Sequence, residues 1–110
     1  MKFITHNDEQ INTNGTHLQG YITVDYNKLC DLLGKSQNFD GYKSDWEWDI
    51  EFEDGTVATI YNWKNGPNYG YEGVTADTIK EWNVGGFNQQ ALKNVKEILS
   101  LTPGKYSFML

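Results

Sequence analysis

The chain is poor in cysteine, proline and positive charge, and each shortage excludes something. Cys30 is the only cysteine, so no disulfide can close within the chain, and a reducing compartment fits. With two prolines and no repeat or low-complexity segment, nothing divides the sequence, and residues 1–110 read as one domain. Residues 1–15 read as a loose N-terminal arm and 104–110 as a C-terminal tail. Nine Lys and Arg stand against fifteen Asp and Glu, a formal net charge of -6 with a pI near 4.7. Direct binding to a nucleic-acid backbone needs clustered Lys and Arg, so none is expected. The apolar runs are far too short to span a bilayer, and MKFITHNDEQ lacks the apolar region of a secretory signal. No membrane partner is expected. His6 and His17 are the only histidines. No paired-cysteine, H-E-x-x-H or G-x-S-x-G spacing is present. The residues therefore predict no catalytic group, no metal and no cofactor.

What the chain has in quantity is aromatic rings: four Trp, seven Tyr and five Phe, 15% of all residues. Large rings let a short chain bury much area per residue. They concentrate in SDWEWDIEFEDGTVATIYNWK, residues 44–64. Trp46, Trp48, Ile50 and Phe52 alternate with Asp45, Glu47, Asp49, Glu51 and Glu53, the period of a strand with two unlike faces. Asp54-Gly55 signals a hairpin into a second strand over 56–63. A type I turn at Glu53-Asp54 with a left-handed Gly55 would set Trp48 opposite Ile60 and Ile50 opposite Ala58. A two-residue turn would set Trp48 beside Tyr61. The first register is preferred because it puts aliphatic and small residues opposite the large ones, and a one-residue slip exchanges the faces.

Around this hairpin the pattern predicts a strand over 17–23, a helix over 25–33 and a polar loop over 35–43. The helix carries Tyr26, Leu29, Cys30 and Leu33 on one face, with Asp25 or Thr23 as cap and Gly34 as stop. Cys30 reads as a small buried apolar residue. After a long loop over 65–77, a third strand is expected over 78–84, broken by Gly85-Gly86. A last helix follows, capped by Asn88, with Phe87 and Leu92 placed for a hydrophobic staple. Leu92, Val95, Ile98 and Leu99 form its apolar stripe. The fold class is α+β: an antiparallel sheet of three to five strands, with two helices packed on the Trp46/Trp48/Ile50/Phe52 face. An exposed edge, 78–84 or the tail, offers a route to a homodimer by sheet extension.

Two groups of residues are candidates for binding. Asp45, Glu47, Asp49, Glu51 and Glu53 would stand about 7 Å apart along one strand, a row that complements a basic protein surface or is simply solvated. Gly85 and Gly86 lead towards a helix N-terminus, and Lys64, Asn65, Tyr69 and Tyr71 lie on the preceding loop. Together they would suit the phosphate and base of a nucleotide or cyclic oligonucleotide signal, or form no more than a tight turn and an exposed loop. Trp46, Trp48 and Trp82 read as core.

The string DGTVATIYNWK, with EWNVGG and an amphipathic helix after it, resembles small uncharacterised tailed-bacteriophage proteins that share a DGTxATIYxxK hairpin and a W-x-x-GG turn into the last helix. The matching pieces are 29–34, 46–52, 54–64 and 82–86. The chain departs from the pattern in lacking a Pro soon after Gly34. The resemblance implies a phage setting in the host cell cytoplasm and no particular activity. In that setting the expected function is non-enzymatic: antagonism of a host or defence protein through the acidic face. The alternatives are a nucleotide sponge and a minor virion or assembly component.

Overall fold

The computed structural model describes residues 2–6, 13–38, 46–63 and 75–100. The chain is built around the 46–61 hairpin. Trp46–Phe52 and Val57–Tyr61 pair antiparallel, with Trp48 opposite Ile60 and Ile50 opposite Ala58. This is the register expected from the Asp-Gly turn. Gly55 takes a φ of 86°, a left-handed conformation open to Gly at little cost. Its N–H donates to the Phe52 carbonyl at 2.9 Å. Asp54 accepts from the Thr56 N–H through one oxygen and from the buried Asn94 amide through the other. Those bonds hold its carboxyl below the usual range and tie the turn to the last helix.

In chain order the elements are β1 (Phe3–Thr5), β2 (His17–Thr23), α1 (Tyr26–Leu33), β3 (Gln37–Asn38), β4 (Trp46–Phe52), β5 (Val57–Tyr61), a 3-10 turn at Ala76–Thr78, β6 (Glu81–Gly86) and α2 (Gln89–Ser100). The sheet is antiparallel in the order β1-β4-β5-β6-β2, and β3 pairs with the Trp46 end of β4. The α+β class is as expected. Part of the expected loose arm is a strand, since Phe3, Ile4 and Thr5 face Phe52, Glu51 and Ile50. Gln37 and Asn38 likewise pair inside the expected 35–43 loop.

Both helices lie on one face. Leu29 and Leu33 of α1, and Ala91, Val95, Ile98 and Leu99 of α2, share one core with Trp48, Ile50, Phe52, Ala58, Ile60, Trp82 and Val84. Tyr26 stacks against Trp82 at 6.1 Å, and Trp48 meets Trp82 edge-on at 5.4 Å. The indole N–H of Trp48 donates to the Gly34 carbonyl, and that of Trp82 to Val24. Asp25 occupies the α1 cap position without a side-chain cap bond. Its carboxylate instead binds Lys80 at 2.9 Å. Asn88 does cap α2, accepting from the Gln90 N–H.

The strand expected at 78–84 is shifted. Residues 76–78 form the 3-10 turn and β6 runs on through Gly85 and Gly86. The two glycines do not break the strand: they pair with β2 on one side and β5 on the other. Two close approaches explain why glycine stands there. A Cβ on Gly86 would lie 2.3 Å from the Cβ of Ala91, and one on Gly85 would lie 2.6 Å from the Thr59 hydroxyl. Gly86→Ala therefore forces α2 off the sheet and is expected to cost about 1–3 kcal/mol, read as a lower urea midpoint. An unchanged midpoint would contradict this account of the contact.

Candidate functional site

The second face of the sheet carries neither helix. Side chains alternate along each strand, so pairing registers define its rungs. One rung runs Tyr21, Asn83, Tyr61, Glu47 across β2, β6, β5 and β4. The next includes Leu18, Gly85, Thr59 and Asp49.

This face differs from the wet acidic row expected of it. Asp49 is only 4% exposed. Glu47 is half-buried, and its carboxyl is pushed up to about 9 by burial, by a hydrogen bond to Asp49 and by the Asp49 charge. Two carboxyls two residues apart on one face cannot both ionise cheaply out of water, so Glu47 keeps its proton and bonds to its neighbour. Tyr61, opposite Glu47, is also raised, first by burial, against a hydrogen bond from Asn83. Glu51 and Glu53 are exposed as expected, and His6 reaches Glu51 at 3.2 Å. Asp45 lies outside the described residues, as do Lys64, Asn65, Tyr69 and Tyr71. Gly85 and Gly86 are buried inside the sheet. As strand residues paired on both sides, they form no turn of free N–H groups at the start of α2.

A concavity lies at the Tyr21 end of this face. Tyr21, Trp63, Thr78, Ile79, Lys80, Glu81 and Asn83 line a groove of 470 Å³. Tyr21 is 53% and Trp63 45% exposed. Trp63 stands edge-on to Tyr61 with centroids 6.1 Å apart, and Asn83 hydrogen-bonds the Tyr61 phenol. The Lys80 ammonium is held by the Asp25 carboxylate at 2.9 Å and the Asp77 carbonyl at 3.2 Å. Among the described residues Glu81 is exposed and forms no ion pair. Such a groove can stack a planar group on its rings and meet its edges with a carboxylate, an amide and a hydroxyl.

None of these groove residues was among the expected ones. The available signal was parity: Tyr21 is out of phase with the apolar Ile22, and Trp63 shares the phase of Tyr61, Glu47 and Asp49. Among the described residues no three His, Cys, Asp or Glu cluster in a way that could hold a metal. No described helix is long and apolar enough to cross a membrane. The fold is that of an α+β protein whose described helices both pack on one face of an antiparallel sheet. No family model, curated protein or solved structure matches the chain.

Proposed function

We propose that this chain is a non-enzymatic binding protein that antagonises a host or defence protein by holding a basic part of it against the sheet face opposite the helices. The observation that carries this reading is the convergence of exposed Tyr21 and Trp63 on the groove, in a chain of net charge -6. Exposed rings beside a pocket are the usual anchors of protein interfaces, and an acidic surround favours a basic partner. The recognition surface moves accordingly. It centres on the groove, with Glu51 and Glu53 as outlying charges, while buried Asp49 makes no direct contact. The phage setting and the host cytoplasm come from the resemblance of 29–34, 46–52, 54–64 and 82–86 alone.

The test begins with capture of partners from host cells and identification by mass spectrometry. It is decided by calorimetry with the purified partner. Tyr21→Ala and Trp63→Ala are each expected to weaken binding about tenfold or more, roughly 1.4 kcal/mol. Added salt should weaken the wild type. Lys96→Ala, on the exposed side of α2, should leave affinity unchanged. Wild-type affinity in both ring variants would refute the reading. A nucleotide sponge would show itself differently, by a rise in Tm with cyclic dinucleotides.

A further inference from the structure

We propose that the groove between Tyr21 and Trp63 receives an arginine side chain of a protein partner. Its guanidinium stacks on the rings and turns its N–H groups towards Glu81 and Asn83. The inference rests on the reading above that the partner is a protein, and it names the chemical group that enters.

The groove's volume of 470 Å³ is many times the ~30 Å³ that one water occupies in the liquid, so it admits a long side chain. Two of its exposed linings are aromatic rings, Tyr21 and Trp63. A planar cation over the face of such a ring is attracted by the ring quadrupole, with Trp the strongest partner. The charges point the same way. Lys80 is occupied by Asp25, and Glu81 adds a further negative charge to the wall. An anionic phosphate would meet Glu81, Asp77 and Asp25 against one ammonium already bound. A neutral sugar would stack on the rings but leave Glu81 without a cation. Arginine satisfies both features, and its flat donor fork suits a carboxylate and an amide side by side. Lysine supplies the charge without the plane. Asn83 is positioned for this by its register between Tyr21 and Tyr61, and an amide has donor and acceptor sites beyond its bond to the Tyr61 phenol.

The experiment is an NMR titration of the full chain with acetyl-Gly-Arg-Gly-amide and with its citrulline analogue, which keeps the shape and loses the charge. The arginine peptide is expected to shift the Trp63 indole and the Tyr21 and Asn83 amide signals. It should bind about tenfold more tightly than the citrulline peptide, the combined effect of a cation–π contact and one exposed ion pair. The lysine peptide should be weaker than arginine. Glu81→Gln should narrow the margin of arginine over citrulline to the part the rings supply, and Trp63→Ala should abolish the Tyr21 shift for both. All sites changed are exposed, and the rest of the spectrum reports that each variant is folded. Equal binding of the arginine and citrulline peptides, shifts that miss the groove, or tighter binding of AMP at the same signals would each overturn the assignment. Two outcomes separate the paired readings. Arginine in the groove with a captured partner indifferent to Tyr21 and Trp63 overturns only the functional reading. A partner dependent on both rings with no arginine shift overturns only the arginine assignment.

Discussion

Trp82→Ala is expected to lower the stability of this domain by about 3–5 kcal/mol, which is a large part of the ~5–15 kcal/mol that holds a domain folded. Trp82 is fully buried at the centre of the core. Its ring touches Trp48 and Tyr26, so truncation opens a cavity between the helices and β4. The cavity cannot close readily, because the sheet on one side is paired on both edges of β6. The loss has a second part. The Trp82 indole N–H donates to the carbonyl of Val24, a residue only 3% exposed. Trp82→Phe keeps most of the ring and removes the donor, so it isolates that part at about 1–3 kcal/mol. Urea unfolding followed by circular dichroism measures both. The ordering Ala worse than Phe, Phe worse than wild type, is the expected result. A Phe variant as stable as the wild type would show that the indole N–H contributes nothing.

The same tryptophan shows why much of the fold was legible. Trp46, Trp48, Ile50 and Phe52 announce a face by alternation, and Asp54-Gly55 sets the register by turn chemistry. Local rules and tertiary packing agree there, so the hairpin could be written down residue by residue. At Gly85-Gly86 they disagree. Glycine pairs ordinarily mark turns, because a chain without side chains gains little by pairing. Here the missing side chains are what let Ala91 of α2 and Thr59 of β5 approach the strand. Thr59 is distant in sequence, and Ala91, though only five residues on, comes to the strand through the way α2 packs, which periodicity along the chain does not show.

The candidate site was less legible for a related reason. Five acids alternating along a strand look like a solvated row, because a carboxylate is costly to bury. The structure avoids that cost by leaving Glu47 protonated against Asp49, and a proton is invisible in a sequence. Tyr21 and Trp63 posed the opposite problem. An isolated ring beside apolar neighbours reads equally well as core or surface. Parity sets each ring out of phase with the core, and the pairing of Tyr21 with Asn83 and of Asn83 with Tyr61 brings β2 and β5 together on the face opposite the helices.

The protonated Glu47 leads to an unusual dependence on pH. Its ordinary value is 4.5 and the fold raises it to about 9. Between those two values the folded chain binds more protons than the unfolded chain, so stability must fall as pH rises. The contribution is whole below 4.5 and gone by 9, with a slope of at most about 1.4 kcal/mol per pH unit. Asp54 acts in the other direction. Its carboxyl is lowered by Asn94 and Thr56, so what it contributes is present above its ordinary value and lost in stronger acid. The greatest stability is therefore expected on the mildly acidic side, near the ordinary range of a Glu, and a weakening towards alkali should follow. Glu47→Gln tests the cause. A Gln amide donates to Asp49 at every pH, so the variant should show a flatter profile from 5 to 9. It should exceed the wild type at the alkaline end, where the wild-type pair must hold two negative charges side by side. Urea midpoints of both proteins at several pH values decide it. Parallel profiles for wild type and variant would mean that Glu47 and Asp49 share no proton in the folded chain.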